Sequence, residues 1–309
     1  MPAKPMRVLH YSDPHIPTPL NHVPLYKWLS KRAVGGVNLF LGRRRFFSDA
    51  GVKLAALARF KQEQQVDLVI CTGDYTALGL NHEYEEAVKV TQQLMDAPSG
   101  YVNVPGNHDY YITDALREER FRTYFGDTLD SDLPEYQVDG PWPLVRLIGN
   151  DFGIIAVNSS RPNPLPWRSS GRIPEKQLET LVTMSKDSRL ADRPVFIVTH
   201  YAPLLADGRY DSRLHGLTNA EPFLTACAEF HQASILCGHV HQCYHVTVHE
   251  TGQAIFCAGS ATMNKKEGFW LFDLYKKEVK ATPGRWDGQQ FVLNMDSIVT
   301  LFNNRSEQC

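Results

Sequence analysis

Five short stretches of this chain combine acidic, amide and imidazole side chains at spacings that suit the binding of metal ions. They are Asp13-Pro14-His15, Gly73-Asp74, Gly106-Asn107-His108-Asp109, His200 and Gly238-His239-Val240-His241. Oxygen and nitrogen ligands without any thiolate favour Mn, Fe or Zn in a polynuclear hydrolytic site. One residue separates the two imidazoles of the last stretch, so an extended backbone directs both to the same side, as two metal ligands require.

Apolar runs rich in Val and Ile end at nearly every one of these stretches and are typical of buried strands. We predict such strands at 8–12, 66–71, 102–104, 195–198 and 233–237. Because α/β proteins build their sites beyond the carboxyl ends of their strands, the five stretches should converge at one edge of a sheet. Taken singly, Asp-x-His is a common pattern, and Gly-Asp after a strand is more often a turn than a metal ligand.

Periodic apolar patterns predict the remaining elements. Helices are expected at 48–64, 82–95, 113–125, 174–188 and 219–230. Further strands are expected at 144–148, 154–158, 244–249, 254–258 and 269–274, with a closing strand and a polar tail after residue 283. Strands that alternate with helices, followed by hairpins, indicate two sheets packed face to face.

The order of the five motifs resembles the calcineurin-like metallophosphoesterase superfamily, whose pattern is D-x-H, G-D, G-N-H-[DE], a lone His and G-H-x-H. The resemblance implies an α/β fold, a four-layer αββα sandwich, formed by a single domain over residues 1–309. It also implies two divalent metal ions bridged by Asp74 and a water. One ion would be held by Asp13, His15 and His241, and the other by Asn107, His200 and His239. Pro14 is unusual in the middle of D-x-H, but it removes no ligand.

The residue types suit the chemistry that the resemblance implies. Two cations about 3.5–4 Å apart stabilise the attacking and leaving oxygens of an in-line displacement and acidify a bridging water. Asp74 suits the bridging position because a carboxylate offers two oxygens that face two ways. His108 would donate a hydrogen bond or a proton to the phosphoryl or leaving oxygen, and Asp109 would lie behind it, fixing its tautomer and raising its pKa. Mn²⁺ is the favoured ion, with Fe, Zn or Mg as alternatives.

Residues 16–48 form a predicted cap insertion that contains no Asp or Glu. Trp, Phe, Leu and Val alternate there with six basic residues, which are Lys27, Lys31, Arg32, Arg43, Arg44 and Arg45. Such a mixture suits a surface that lies against anionic headgroups, where each basic charge contributes about 1 kcal/mol. A solvated lid, or an amphipathic helix packed on the protein's own core, is the open alternative.

Two subgroups of the superfamily fit the sequence. The cap and the stretch 73–79 resemble the UDP-2,3-diacylglucosamine pyrophosphatases of lipid A synthesis, which release UMP and lipid X at the inner membrane face. The alternative is a cyclic-nucleotide phosphodiesterase acting on 3′,5′-cyclic AMP, which has the same metal motifs and no use for a lipid-facing cap. A non-catalytic metal-binding scaffold would be expected to lack ligands, whereas none is missing here. The cap favours the lipid-linked substrate.

Two loops that follow strands should reach the phosphate. Arg161 in the loop 158–173, and Arg213 and His215 in the loop 201–219, are the predicted substrate contacts. Arginine suits them because its guanidinium grips a phosphate in a planar, bidentate manner. A surface salt bridge is the ordinary alternative for either arginine.

The composition is that of an ordinary globular protein, with 43% hydrophobic residues, 21% charged residues and a net charge of −2. Such a charge gives no reason to expect a nucleic acid polymer as partner. No apolar run reaches the roughly 18–20 residues of a membrane span, and the first ten residues lack the apolar region of a signal peptide. The six cysteines form no CxxC pair. We therefore expect a cytoplasmic protein, with peripheral contact at the inner membrane face if the cap binds lipid.

Overall fold

The structure is a computed structural model that describes residues 4–16, 31–40, 43–149, 151–163, 165, 167–191, 193–276 and 278–302. The side chains at 34, 38–40, 43, 44 and 302 are not described. The helices are α1 Lys31–Phe40, α2 Ala50–Glu63, α3 Asn81–Met95, α4 Thr113–Arg117, α5 Arg120–Phe125, α6 Glu175–Met184 and α7 Ala220–Ala228. The strands are β1 Met6–Tyr11, β2 Leu68–Cys71, β3 Tyr101–Asn103, β4 Leu144–Ile148, β5 Phe152–Ala156, β6 Val195–Tyr201, β7 Ala233–Gly238, β8 Tyr244–Thr247, β9 Ala254–Cys257, β10 Phe269–Leu274, β11 Glu278–Trp286, β12 Phe291–Leu293 and β13 Val299–Phe302.

Two mixed sheets organise the described part of the chain. The first has the strand order β12-β11-β10-β1-β2-β3, with β13 added on β11, and its strands β1, β2 and β3 are parallel. The second has the order β4-β5-β6-β7-β9-β8, with β5, β6, β7 and β9 parallel. Each sheet therefore has a group of parallel strands whose carboxyl ends share one edge, which is the arrangement that positions a site.

Aromatic side chains join the two sheets face to face. The ring of Phe272 on β10 lies 5.0 Å from that of Phe196 on β6 and 5.1 Å from that of Phe256 on β9. On the outer side of the first sheet, the ring of Phe60 on α2 packs against the ring of Phe269 on β10, with the ring centroids 4.8 Å apart. Helices α6 and α7 pack on the outer side of the second sheet in a separate apolar cluster. The predicted four-layer αββα sandwich is confirmed.

The predicted helices and strands agree with these bounds to within a few residues, except that one helix is divided, two strands follow residue 286 instead of one closing strand, and α1 and β11 were not predicted. The helix predicted at 113–125 is divided into α4 and α5, because Glu119 between them has a φ of 48°. A residue with a Cβ in this left-handed region cannot continue a right-handed helix. Strand β11 was not predicted, since Pro283 in its interior argues against a strand from sequence alone.

The predicted cap is described only in part. Positions 17–30, which include Lys27 and Trp28, lie outside the described residues, as do the side chains of Arg43 and Arg44. The described part agrees with the alternative interpretation, an amphipathic helix packed on the protein's own core. Arg32 of α1 is 1% exposed, and Phe47 is 3% exposed with its ring 5.0 Å from the ring of His15. The prediction that these residues face lipid is wrong for Arg32 and Phe47.

Two further findings concern the environment of the chain. Among the helices of the described residues, none has both the length and the apolar character needed to cross a membrane. Cys71 in β2 and Cys237 in β7 are buried free thiols, as expected for small core residues next to the metal motifs.

Candidate metal centre

The predicted metal ligands meet where the parallel strands of both sheets end. Asp13 and His15 follow β1, Asp74 follows β2, Asn107 follows β3, His200 lies near the end of β6, and His239 and His241 follow β7. A register shift between Val198 and Tyr201 interrupts the pairing of β6 with β7 at His200. Backbone hydrogen bonds fasten the first two loops together, with Asp13 N donating to the carbonyl of Gly73 at 2.9 Å. The sheet edges thus bring all seven side chains to one place.

The first group of predicted ligands consists of Asp13, His15 and His241. Asp13 Oδ1 lies 3.0 Å from His241 Nε2 and 3.6 Å from His15 Nε2. The two Nε2 atoms are 3.0 Å apart. One ligand atom from each of these residues and from Asp74 lies within 4.8 Å of all the others, which is close enough for one ion to contact the set.

The second group of predicted ligands consists of Asn107, His200 and His239. His200 Nδ1 donates to the carbonyl of Thr72 at 2.6 Å, and His239 Nε2 donates to the carbonyl of His215 at 3.1 Å. The opposite ring nitrogens therefore carry lone pairs, and they face Asn107 Oδ1 at 3.1 and 2.8 Å. Three acceptor atoms this close repel one another unless a cation lies between them. Neutral imidazoles oriented by backbone carbonyls are the form in which histidine binds metals, so the group fits a divalent ion.

Asp74 lies between the two groups. Its Oδ2 is 3.7 Å from His15 Nε2 and 3.6 Å from His200 Nε2, so the same oxygen faces a histidine of each group. Its Oδ1 accepts a hydrogen bond from the backbone N–H of His108 at 2.7 Å. We expected the two oxygens to face two ways, whereas a single oxygen occupies the shared position and the other orients the following loop.

Among the described residues, five of the seven predicted ligands have a backbone in the left-handed region. Their φ angles are 51° for Asp13, 35° for His15, 63° for Asp74, 72° for His239 and 50° for His241. Residues other than glycine adopt such angles at a cost of about 1–3 kcal/mol each, and they do so where the surrounding structure demands it. The loops therefore adopt an unfavourable backbone conformation that directs these side chains toward a common point.

Two glycines of the motifs allow the carboxylates to approach the backbone. A Cβ at Gly238 would lie 1.9 Å from Ser12 Oγ and 2.7 Å from Asp13 Oδ2. A Cβ at Gly106 would lie 2.0 Å from Asp74 Oδ1. Since real Cβ atoms do not come this close to other atoms, only glycine fits at either position.

Burial and mutual contact set the charge of the site. Burial alone would raise the pKa of Asp13, but His241, His200 and His15 outweigh it, and the pKa lies below its usual value. Burial lowers the pKa of His200 and, further, that of His239. An ionised carboxylate beside neutral imidazoles is the protonation state that metal ligands require.

His108 lies at the rim of the ligand set. Its ring is 4.9 Å from that of His15, and its Nδ1 lies 2.7 Å from the carbonyl oxygen of Ala77. This carbonyl takes the position at Nδ1 that we expected for Asp109. Burial raises the pKa of Asp109 to about 7, while backbone N–H groups oppose that rise. The Asp109 carboxylate accepts hydrogen bonds of 2.8–3.1 Å from the backbone N–H groups of Asp74, Tyr75, Thr76 and Gly106, so it orders the loops around His108.

Residues 6–243 match the family model for calcineurin-like phosphoesterases. The chain belongs to this family. A probable glycerophosphodiester phosphodiesterase, GpdQ, from Arcobacter nitrofigilis is 29% identical over 178 residues, which is 57% of this chain. The match also covers 57% of that relative, so the chain spans little more than half of its length.

Two solved structures resemble this calcineurin-like phosphoesterase over almost its whole length. A dimetal phosphatase from Danio rerio is 14% identical, with a TM-score of 0.60, and the comparison covers 97% of this chain and 100% of that one. The purple acid phosphatase PPD1 from yellow lupin (Lupinus luteus) seeds is 11% identical, with a TM-score of 0.61, and the comparison covers 98% of this chain and 55% of that one. At these identities the likeness shows a common fold.

Of the predicted substrate contacts in this family member, the structure brings His215 to the site. Its ring lies 4.2 Å from that of His239, and its Nδ1 contacts Asp211 Oδ2 at 2.5 Å. Asp211 was missed, although a carboxylate four residues before a histidine is a detectable signal. Arg161 is half-buried and hydrogen-bonded within its own loop, and Arg213 is exposed. Their contact with a substrate stays a prediction.

Proposed function

We propose that this chain is a dinuclear metal-dependent phosphohydrolase that cleaves phosphodiester or pyrophosphate bonds. The observation that carries the proposal is the position of Asp74 Oδ2, 3.7 Å from His15 Nε2 and 3.6 Å from His200 Nε2. One carboxylate oxygen that faces an imidazole of each group suits two ions rather than one. Membership of the calcineurin-like phosphoesterases and the resemblance to a probable phosphodiesterase support the same activity.

The distances between the side chains divide the proposed ligands between the two ions. One ion would be held by Asp13, His15 and His241, and the other by Asn107, His200 and His239. Asp74 would contact both ions. When bound, two divalent cations polarise phosphoryl oxygens and acidify a water, and we propose Mn²⁺ for both positions.

His108 would serve as the proton donor. Because its Nδ1 donates to the carbonyl of Ala77, Nε2 is the ring nitrogen that takes up and releases a proton;. The ring is only partly buried and stacks on Tyr111 with centroids 5.5 Å apart, so it is held in one orientation. From the rim of the ligand set, His108 would donate a proton to the oxygen of the leaving group.

Replacing His108 by Ala tests this role. We expect kcat to fall about 10²- to 10⁴-fold, the usual contribution of a positioned acid, while both metals stay bound. The loss should be smaller on bis-p-nitrophenyl phosphate than on diphenyl phosphate, because nitrophenolate leaves with little need of a proton. The exposed His249 provides a control, since His249→Ala should change neither quantity. Loss of metal with normal turnover per loaded site would instead make His108 a ligand.

For the substrate, we propose a soluble phosphodiester in preference to the lipid-linked pyrophosphate. The described part of the cap supports this choice, because Arg32 and Phe47 are buried and Lys31 Nζ donates to the carbonyl of Arg168 at 2.9 Å. Exposed Val37 and Phe46 are the described apolar residues that still suit a lipid.

A hydrolysis panel on the Mn²⁺-loaded protein separates the candidates. It compares glycerophosphoethanolamine, 3′,5′-cyclic AMP and UDP-2,3-diacylglucosamine at equal enzyme concentration. We expect the highest kcat/KM on a soluble diester. A highest value on the acylated sugar nucleotide would restore the lipid-linked substrate, and full metal loading without any turnover would favour a scaffold.

A further inference from the structure

Arg32 is buried in a segment whose sequence suggests a basic surface. Its Nη1 and Nη2 donate to the two carboxylate oxygens of Asp114 at 2.8 and 2.9 Å, and its Nε donates to the carbonyl of Leu78 at 3.0 Å. Burying a guanidinium costs several kcal/mol unless its charge and its N–H groups are matched. The bidentate pair and the carbonyl contact supply that match, so α1 is anchored to the body at Arg32.

The loop 76–79 connects this anchor to His108. On one side of the loop, the carbonyl of Gly79 accepts from Arg32 Nη2 at 3.4 Å and from Arg120 Nη1 at 2.5 Å. On the other side, the carbonyl of Ala77 contacts His108 Nδ1 at 2.7 Å. The Ala77 carbonyl, which orients His108, therefore belongs to a loop that the guanidinium groups of Arg32 and Arg120 hold in place.

Helix α1 also reaches His108 through Tyr111. A Cβ at Gly35 would lie 2.4 Å from Tyr111 Oη, so the helix approaches this ring as closely as glycine permits. Lys31 Nζ lies 4.9 Å from the centroid of the same ring, and the ring of His108 stacks on that ring at an interplanar angle of 24°. Side-chain stacking and the Ala77 carbonyl thus fix the imidazole in two directions.

Asp114 keeps a partner if Arg32 is removed. Arg120 Nη2 donates to Asp114 Oδ2 at 3.1 Å, independently of Arg32. Burial would raise the pKa of Asp114, but Arg32 and Arg120 together hold it below its usual value. A variant without Arg32 therefore retains a paired Asp114, so we expect the variant to fold.

We propose that Arg32 is a positioning residue for His108, acting through the loop 76–79. The proposal rests on the proposed function, in which His108 gives a proton to the leaving oxygen. Arg32 would thereby link the predicted cap to the chemical step, because the helix that carries it must be seated for the Ala77 carbonyl to hold the imidazole. Its effect should appear in proton donation and not in the binding of metals.

The test is a double-mutant cycle between Arg32→Met and His108→Ala on the metal-loaded protein. We expect Arg32→Met to lower kcat on diphenyl phosphate about 10- to 100-fold, because a distant change that misplaces a functional group by about 1 Å can cost about 100-fold. KM and the content of two ions should change little, and the loss on bis-p-nitrophenyl phosphate should be smaller. In the His108→Ala background, Arg32→Met should have almost no further effect. Arg32→Lys should recover part of the activity.

A matched control is Lys61, a buried basic residue that donates to the carbonyls of Gln93 and Asp96. Lys61→Met should lower stability without changing the difference between the two substrates. If Arg32→Met does not fold, Asp114→Asn replaces it in the same cycle, since it weakens the same anchor. Equal losses from Arg32→Met with and without His108 would overturn the positioning role. An unchanged kcat in His108→Ala alone would instead overturn the proposed proton donor.

Discussion

Adding one methyl group at Gly238 should weaken both the fold and the binding of metal. The new Cβ would lie 1.9 Å from Ser12 Oγ and 2.7 Å from Asp13 Oδ2. That carboxylate oxygen accepts hydrogen bonds from Ser12 Oγ at 2.5 Å and from the backbone N–H of His239 at 3.0 Å. The methyl group in Gly238→Ala must therefore displace Asp13 from the position where it faces the other ligands.

Two terms set the expected size of the effect. Overpacking of a well-filled site costs about 1–3 kcal/mol of unfolding free energy, which the metal-free protein should show. Loss of the contacts that orient a ligand costs about 10- to 100-fold in metal affinity, or roughly 1.4–2.7 kcal/mol in addition. The stabilisation that Mn²⁺ gives to the wild type should therefore shrink in Gly238→Ala.

The assay is urea unfolding with and without Mn²⁺, together with a metal titration. Gly51 is the matched control because a Cβ there has no other atom within 4 Å, and it lies in α2. Gly51→Ala should gain up to about 1 kcal/mol from helix propensity and bind metal normally. If Gly238→Ala binds two ions with wild-type affinity, the argument from close approach is refuted.

Two further predictions concern stability. Burial lowers the pKa of His10 from 6.5 to about 3, so between these pH values the unfolded chain binds a proton that the folded chain does not. The contribution of the neutral imidazole to the unfolding free energy should therefore be fully present above pH 6.5 and fall below it by about 1.4 kcal/mol per pH unit. Urea unfolding of the metal-free protein between pH 7 and pH 5 should show a smaller fall in His10→Gln than in the wild type, and equal slopes would count against the neutral buried imidazole. Glu119→Gly should raise the unfolding free energy by about 1 kcal/mol, because glycine relieves the left-handed backbone at φ 48° while the exposed pair with Arg122 contributes little;. A lower thermal midpoint for Glu119→Gly would contradict that balance.

The convergence of the proposed ligands could be predicted from the sequence because the side chains themselves carry the signal. Asp74, Asn107 and His239 each follow an apolar run that ends at a sheet edge, and the residue types leave few other chemistries. The fold was predictable for the same reason, since Val and Ile runs alternate with amphipathic helices. Both depend on local patterns, which a single chain displays directly.

The features that the sequence does not reveal are backbone features and distant pairs. The carbonyl of Ala77, which orients His108, has no side-chain signature. The left-handed backbone at the ligands is imposed by the surrounding loops and not by residue type;. The partner of Arg32 is Asp114, which is 82 positions away, so nothing local indicates that this basic residue is buried.

The number of metal ions per active chain tests the central proposal most directly. Wild-type protein is stripped with EDTA and titrated with Mn²⁺, and bound metal and hydrolysis of bis-p-nitrophenyl phosphate are measured in the same samples. We predict no turnover without metal and full turnover only when two ions are bound per chain, because Asp74 Oδ2 faces a histidine of each ligand group. Full turnover with one ion per chain, or with none, would contradict the dinuclear site.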